Sequence, residues 1–173
     1  VAIVEMPDEP LSLAGTPLVL AGDSVSDPGN LGTLIRSAAA FGLTGIVVSG
    51  NTVDPFNPKC VRATMGGIFH VPLQAFAAAR DAIFYLKESG LSVVAGDVRA
   101  KTLCYDWDFA GRCAILVGGE AEGITPTVLE LCDASVRIPM PGGRESLNVA
   151  VAGSVLVYEA ARQRGLLRPD KAL

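Results

Sequence analysis

Polar side chains that could take part in chemistry gather at three joints, where a predicted strand gives way to a predicted helix. The first joint carries Asn30 and Arg36, the second carries Glu120, and the third carries Ser146 and Asn148. In α/β proteins, ligands bind outside the carboxyl ends of parallel strands and beside helix N-termini. Three such joints in one small chain predict a single ligand site at one edge of a sheet.

Apolar strand patterns alternate with amphipathic helix patterns along the whole chain. Strands are predicted at 16–22, 46–48, 68–71, 91–95, 113–117 and 135–140, and helices at 30–41, 57–65, 73–89 and 125–131 and from Leu147 onward. This alternation predicts an α/β fold with a mostly parallel sheet and helices on both faces. We expect residues 1–15 to be an N-terminal remnant or linker and residues 16–173 to form one domain.

Each of these polar residues also has a purely structural explanation. Asn30 suits the N-cap of the first helix, and Ser146 suits the N-cap of the last. Arg36 lies off the apolar face beside small residues such as Gly32, which would leave room for a ligand, but it could equally be a solvated arginine. Glu120 lies among glycines and could belong to an exposed loop. Residue types alone leave these alternatives open.

Composition narrows the possible functions of the chain. Its 173 residues carry a net charge of −4, and half of them are hydrophobic. An acidic chain does not bind nucleic acid over its whole surface, so contact with RNA would require a local basic patch or a separate binding module. No apolar run reaches the roughly 18 residues of a membrane span, and we expect a cytoplasmic protein. The glycine-rich turns match neither a dinucleotide fingerprint nor a P-loop.

The cysteines and the single histidine do not form a metal-binding pattern. The four cysteines have no C-x-x-C spacing, and His70 lies in a strand-like run. We expect four reduced structural thiols, a structural histidine and no metal. The chain opens on Val1 rather than Met, so we also expect that an upstream domain is absent from it.

The three joints resemble the three motifs of the SpoU (TrmH) family of RNA ribose 2′-O-methyltransferases, in the SPOUT superfamily. The matching stretches, in the family's order, are DPGNLGTLIRSAAAFG, LVGGEAEGI and IPMPGGRESLNVAVAGSVLVYEA. The segment NPKCVRATMGGIFHVP is similar to the family as well. The resemblance implies a homodimer and a deep C-terminal trefoil knot, which is an exception to the rule against threaded chains. It also implies that the absent upstream domain is a small RNA-binding domain.

The resemblance also implies S-adenosylmethionine as the cofactor and RNA as the substrate, with ribosomal RNA favoured over transfer RNA. Matching by motif position assigns the cofactor contacts to Leu116, Gly118, Glu120, Gly123, Ile138, Pro139, Met140 and Leu147. No metal is implied, because a sulfonium is already an activated leaving group. The methyl group would pass to a ribose 2′-OH, whose proton must leave as the bond forms.

The catalytic roles follow from the same match. Arg36 would bind the target phosphate and lower the pKa of the 2′-OH. Ser146 and Asn148 would orient the ribose and Arg36, and Asn30 and Glu120 would hold the loops around the methyl donor.

Three other interpretations compete with that of a ribose 2′-O-methyltransferase. They are a non-catalytic knotted factor that binds the cofactor or RNA, a doubly wound nucleotide-binding enzyme, and a base-methylating relative. The chain departs from the family at Ala150, where many members have Ser, and the resemblance assigns no role to Arg144 or Glu145.

Overall fold

The sheet that organises the chain has seven strands, all paired in parallel. A computed structural model describes residues 11–143 and 146–167. The strands are β1 (Leu18–Asp23), β2 (Gly45–Ser49), β3 (Leu73–Ala75), β4 (Ser92–Gly96), β5 (Thr102–Leu103), β6 (Cys113–Gly118) and β7 (Ala134–Arg137). Their spatial order is β3-β2-β1-β6-β4-β7-β5. The predicted α/β class and parallel sheet are confirmed.

Helices cover both faces of this sheet. They are α1 (Pro28–Ala40), α2 (Pro58–Ala63), α3 (Ala79–Glu88), α4 (Pro126–Leu129) and α5 (Val149–Gln163). Successive strand residues point to opposite faces, so Leu20 packs in the core under α1 and α5, whereas Val19 packs in the core under α3. Leu11 also packs into this second core, although it precedes the first strand.

The strand order positions the candidate site. After β1 the chain forms β2 and β3 on one side of β1. It then crosses to the other side, where β4 to β7 lie and β6 pairs with β1. The sheet therefore has a topological switch point between β1 and β6, where ligands bind in open α/β folds. Asp23 at the end of β1 pairs in register with Gly118 at the end of β6. The loops that leave these two strands consequently start side by side.

Helix α5 lies against α1 and the sheet. Ser37 on α1 and Ser154 on α5 share a hydrogen bond of 2.7 Å between their hydroxyls. Leu156 and Val157 are fully buried, and burial of each side chain contributes about 1.5–3 kcal/mol to folding. Val151 and Val155 on another side of the same helix stay exposed. The helix therefore has apolar side chains on more than its inward face.

Two predicted elements between β2 and α3 are wrong. Residues 68–71 do not form a strand, because Gly67–Phe69 is a short 3₁₀ helix and His70 follows it as an exposed residue. The helix predicted from residue 73 begins only at Ala79. Residues 73–75 instead form the edge strand β3 on β2. Tertiary pairing outweighs local propensity here, and no side chain caps α3 to mark its start.

The cysteines behave as structural thiols. Cys60, Cys104 and Cys113 are buried, Cys132 is half-buried, and none forms a disulfide. Burial, with a smaller effect from Asp54, raises the pKa of Cys60 to about 11. Burial and Asp133 likewise raise the pKa of Cys132 to about 11, although Lys87 opposes the shift. Both groups remain protonated and unreactive near neutral pH.

Residues 11–143 and 146–167 contain neither a cluster of metal ligands nor a membrane-spanning helix. No three His, Cys, Asp or Glu side chains in this part of the chain come together as metal ligands. None of its helices is long and apolar enough to cross a bilayer.

Candidate functional site

The loops after β1 and β6 meet through glycines. The Gly123 amide donates to the Gly119 carbonyl over 3.0 Å, which closes a tight turn after β6. A Cβ on Gly118 would overlap the backbone of Gly123 and Ile124, and one on Gly119 would overlap the carbonyl of Ser24. Glycine is required at both positions because two backbone segments touch there.

Glu120 ties this turn to the start of α1. One carboxylate oxygen accepts from the Ser26 amide at 3.2 Å and the Ser26 hydroxyl at 3.1 Å. The other accepts from the Asp27 amide at 3.4 Å and the Asn30 side-chain amide at 2.7 Å. Burial raises the pKa of Glu120, but hydrogen bonds from Asn30, from its own backbone amide and from Ser26 hold the pKa below its ordinary value. The carboxylate is therefore ionised near neutral pH.

Asn30 does not cap α1, so that structural explanation is wrong. The N-cap is Asp27, whose carboxylate accepts from the Asn30 backbone amide at 2.8 Å, and Pro28 occupies the first helical position. The Asn30 side chain is consequently available for other contacts. Its nitrogen donates to Glu120, and its oxygen accepts from the Asn148 side chain at 3.0 Å.

Asn148 begins α5. Its side-chain oxygen accepts from the amides of Ala150 at 2.9 Å and Val151 at 3.3 Å, so Asn148, rather than Ser146, is the N-cap. A continuous chain of hydrogen bonds thus runs from Glu120 through Asn30 to Asn148. It joins one residue from each of the three joints, which meet at one edge of the sheet as the sequence predicts.

A cavity of about 300 Å³ opens beside this chain of hydrogen bonds. Its wall combines apolar residues with the acidic residues Asp97, Glu120 and Glu122 and the basic residues Arg99 and Arg137. Most of the residues predicted to contact a cofactor line it, namely Gly118, Glu120, Gly123, Ile138, Met140 and Leu147. Leu116 and Pro139 are not part of the wall. Leu116 is buried in the core on the α3 side of the sheet.

The two remaining residues predicted to be catalytic lie in different places. Ser146 lines the cavity. Arg36 is exposed on α1 outside it, and within the described ranges its guanidinium has no hydrogen-bond or ion-pair partner. The expected space beside Gly32 does not exist, because Gly32 is buried against Cys60 and Ala63 of α2.

Sequence reasoning missed an ion pair at the cavity. Asp97 follows β4, and its carboxylate accepts from Arg99 at 2.8 Å and 3.0 Å. Hydrogen bonding to Arg99 holds the pKa of Asp97 below its ordinary value, against the opposing effect of burial. Both residues line the cavity. Their position after the carboxyl end of a parallel strand was a usable signal. Arg144 and Glu145, which were left without a role, lie outside the described residues.

Comparison with known proteins connects these three joints to a described family. The model of the SpoU rRNA Methylase family matches residues 17–158, which contain all three joints. The chain belongs to the SpoU family. The segments after β6 and β7 that line the cavity lie within the matched residues.

Two curated relatives show how far the similarity extends along the chain. The 23S rRNA (guanosine-2′-O-)-methyltransferase RlmB of Xylella fastidiosa is 37% identical over 153 residues, which are 88% of this chain and 61% of the relative. The 23S rRNA (guanosine(2553)-2′-O)-methyltransferase RlmP of Bacillus subtilis is 38% identical over 160 residues, which are 91% of this chain and 62% of that protein. The chain spans about three fifths of the length of these relatives.

A solved SpoU structure agrees with the fold. The SpoU methyltransferase AviRb from Streptomyces viridochromogenes, crystallised in complex with the cofactor AdoMet, superposes with a TM-score of 0.86 at 30% identity. The match covers 94% of this chain and 63% of AviRb.

Proposed function

We propose that this chain is the catalytic domain of an S-adenosylmethionine-dependent methyltransferase that modifies a ribose 2′-OH of ribosomal RNA. The hydrogen-bonded chain Glu120–Asn30–Asn148 beside a cavity carries the proposal. It connects the three family motifs into one site. The relatives named 23S rRNA 2′-O-methyltransferases support the substrate class.

The cavity suits S-adenosylmethionine. Its volume of about 300 Å³ falls at the lower end of the roughly 300–1,000 Å³ found for small-molecule sites. Apolar side chains such as Ile138 and Leu147 suit an adenine ring. The wall has both acidic residues (Asp97, Glu120, Glu122) and basic residues (Arg99, Arg137), which suits a ligand that carries cationic groups and a carboxylate. Main-chain groups of the Gly118–Gly123 turn would hold the polar edge of the ligand. When bound, S-adenosylmethionine supplies a methyl group activated on a sulfonium.

Arg36 serves the RNA in this proposal. A guanidinium binds phosphate in a bidentate manner, and Arg36 is exposed. It lies roughly 9 Å along α1 from Asn30, six residues at 1.5 Å each. The target nucleotide would therefore reach from Arg36 into the cavity. The Arg36 guanidinium neutralises charge on the phosphate and so lowers the pKa of the neighbouring 2′-OH, whose proton passes to the phosphate and on to solvent as the methyl group is transferred. Ser146 on the cavity wall orients the ribose.

Asn148 and Asn30 act as positioning residues. The Asn148 oxygen caps α5, and its nitrogen donates to Asn30. Asn30 in turn donates to Glu120. These contacts favour a role in holding the turn after β6 against the start of α5, which keeps Ser146 and the cavity wall in place.

The trefoil knot is part of this proposal. Residues that follow β7, such as Ile138 and Met140, share the cavity wall with the turn after β6. Strand β4 lies between β6 and β7 in the sheet. A threaded segment after β7 would account for this return of the chain to the edge of β6, and the family resemblance supports it.

We also propose a homodimer formed through α5 in the cytoplasm. Val151, Val155 and Tyr158 on α5 are 48%, 37% and 49% exposed. With Phe41 they line a shallow apolar groove between α1 and α5. Exposed apolar patches of this kind mark protein interfaces.

Replacement of Arg36 tests the catalytic assignment. In the full-length protein, Arg36→Ala should lower methyl transfer to ribosomal RNA by about 100-fold or more, the usual cost of losing one charge-stabilising donor. Cofactor affinity should stay within about twofold, because Arg36 lies outside the cavity. Arg80→Ala, on α3, is the matched control and should retain full activity. Undiminished turnover in Arg36→Ala would refute the role of Arg36.

A further inference from the structure

Two large apolar side chains stand out on the surface beside Arg36. Met65 is 74% exposed and Phe69 is 57% exposed, which makes them the most exposed large apolar residues in the described ranges. Both lie in the segment 64–70, between α2 and β3, outside the cavity and the groove on α5. The proposed function assigns no role to either residue.

This segment is held firmly against the turn of α1 that carries Arg36. A Cβ on Gly67 would lie 3.2 Å from the Arg36 Cα, so the two backbones are in close contact. Thr64 is fully buried, and its carbonyl accepts from the Gly67 amide at 2.9 Å. The Phe69 amide donates to the Gly66 carbonyl at 3.1 Å. The exposure of the side chains is therefore not a consequence of a loose loop.

The backbone at Met65 supports the same conclusion. Its φ of 49° lies in the left-handed region, which a non-glycine residue adopts only occasionally. Such a conformation persists where the surrounding structure determines it. Here the buried Thr64 and Ile68 on either side provide that constraint.

The two helices beside this segment, α1 and α2, carry positively charged side chains and no negatively charged ones. The charged residues of α1 and α2 are Arg36, Lys59 and Arg62, with Asp27 and Asp54 in the loops before the two helices, whereas the whole chain has a net charge of −4. Arg36, Lys59 and Arg62 are all exposed. The surface therefore offers cations for phosphates and apolar faces for bases, the combination that proteins use to bind single-stranded nucleic acid.

We propose that Met65 and Phe69 form a stacking platform for an unpaired base of the substrate RNA, next to the phosphate that Arg36 binds. Aromatic side chains stack on splayed bases whatever their sequence, and a polarisable thioether packs well beside a ring. The contact of Gly67 with Arg36 places the platform beside the nucleotide to be methylated. This inference rests on the proposed function, because it uses the role of Arg36 in binding RNA.

Fluorescence binding to a single-stranded RNA oligonucleotide that contains 2-aminopurine tests the platform. Binding to the full-length protein should quench the probe, because the base stacks. Phe69→Ala should weaken binding by about 5- to 150-fold, the range that base–aromatic stacking supplies, and Phe69→Trp should restore affinity and quenching. Phe84→Ala on α3 removes another exposed phenylalanine and should change nothing.

Binding of an abasic oligonucleotide serves as a control for base stacking, and the oligomeric state tests whether the two side chains form a contact between protein copies instead. Wild type and Phe69→Ala should bind an RNA without bases equally well. Unchanged affinity of Phe69→Ala for the normal oligonucleotide would overturn the platform. So would an altered molecular mass by light scattering, because the two side chains would then serve a contact between copies of the chain.

Methyl transfer separates this inference from the function it rests on. With ribosomal RNA, Phe69→Ala should raise KM for RNA and leave kcat and the cofactor Kd unchanged. If the wild type methylates RNA and Phe69→Ala has the same KM for RNA, the platform is refuted and the proposed function stands. Phe69-dependent RNA binding without any methylation by the wild type would refute the proposed function and retain the platform.

Discussion

Replacement of Glu120 by glutamine perturbs the centre of the site with little change in shape. Both carboxylate oxygens accept hydrogen bonds, one from Ser26 and the other from Asp27 and Asn30. A glutamine side chain offers only one acceptor oxygen, so its NH₂ group must face donors in either orientation. The Ser26 hydroxyl can turn to accept instead, but at least one backbone amide then loses its partner.

The expected cost is modest, because the site is not deeply buried. A hydrogen bond to a charged group contributes ~1.5–3 kcal/mol, but Glu120 is an exposed residue and solvent screening reduces that value. We therefore expect a loss of about 1 kcal/mol in the free energy of unfolding. We expect a loss of roughly tenfold in S-adenosylmethionine affinity, or about 1.4 kcal/mol, because the cavity wall and the start of α1 are no longer tied together.

Calorimetric titration and thermal unfolding measure these two effects. Glu122→Gln is the matched control, because Glu122 lines the same cavity but makes no bond to Ser26, Asp27 or Asn30. It removes an equal charge and retains the link between the loops. Equal losses in the two variants would refute the argument, since only the charge of the cavity would then matter.

The pH dependence of stability gives the same prediction a second readout. The folded-state pKa of Glu120 lies below its ordinary value of 4.5. The stabilisation is therefore present above that value and is lost as the pH falls through the folded-state pKa. Glu120→Gln should flatten the acid side of the stability profile and leave the profile above about pH 6 parallel to that of the wild type. Unfolding by urea at several pH values would show this.

Three further predictions concern the link between the joints, the close contact after β6 and the face of α5. Asn30→Ala should weaken cofactor binding about tenfold in a calorimetric titration, because it removes both bonds that join Glu120 to Asn148; unchanged affinity would contradict the positioning role. Gly118→Ala should lower stability by ~1–3 kcal/mol in thermal unfolding, because its Cβ overlaps the backbone of Gly123. Gly111→Ala meets nothing within 4 Å and is the control. Val155→Glu should convert a dimer to a monomer by sedimentation, because it places a charge on the exposed face of α5, whereas Thr127→Glu on α4 should not.

The sequence contained enough to predict the sheet and the meeting of the three joints. Strands such as 113–117 are continuously apolar, which is typical of parallel strands buried on both faces. The carboxyl ends of parallel strands share one edge of a sheet, so Asn30, Glu120 and Asn148 were expected to come together. The glycines at 118 and 119 likewise indicated a close approach of the backbone.

What the sequence did not predict depends on contacts between distant residues. Asp27 and Asn30 are both good N-caps, and the structure uses Asp27 because the Asn30 side chain bonds to Glu120, which lies 90 residues away. Strand β3 has only three residues and forms by pairing with β2. The ion pair of Asp97 and Arg99 belongs to the site only because β4 lies next to β6 in the sheet.

The chemical identity of the product tests the central proposal most directly. The full-length protein, deproteinised ribosomal RNA and S-adenosylmethionine with a labelled methyl group would be incubated together, and the RNA would be digested to nucleosides and separated by mass spectrometry. We predict that the label appears in a single nucleoside methylated on its ribose 2′-oxygen. Label on a base, or no transfer by a protein that binds the cofactor, would contradict the assignment of this site to ribose methylation.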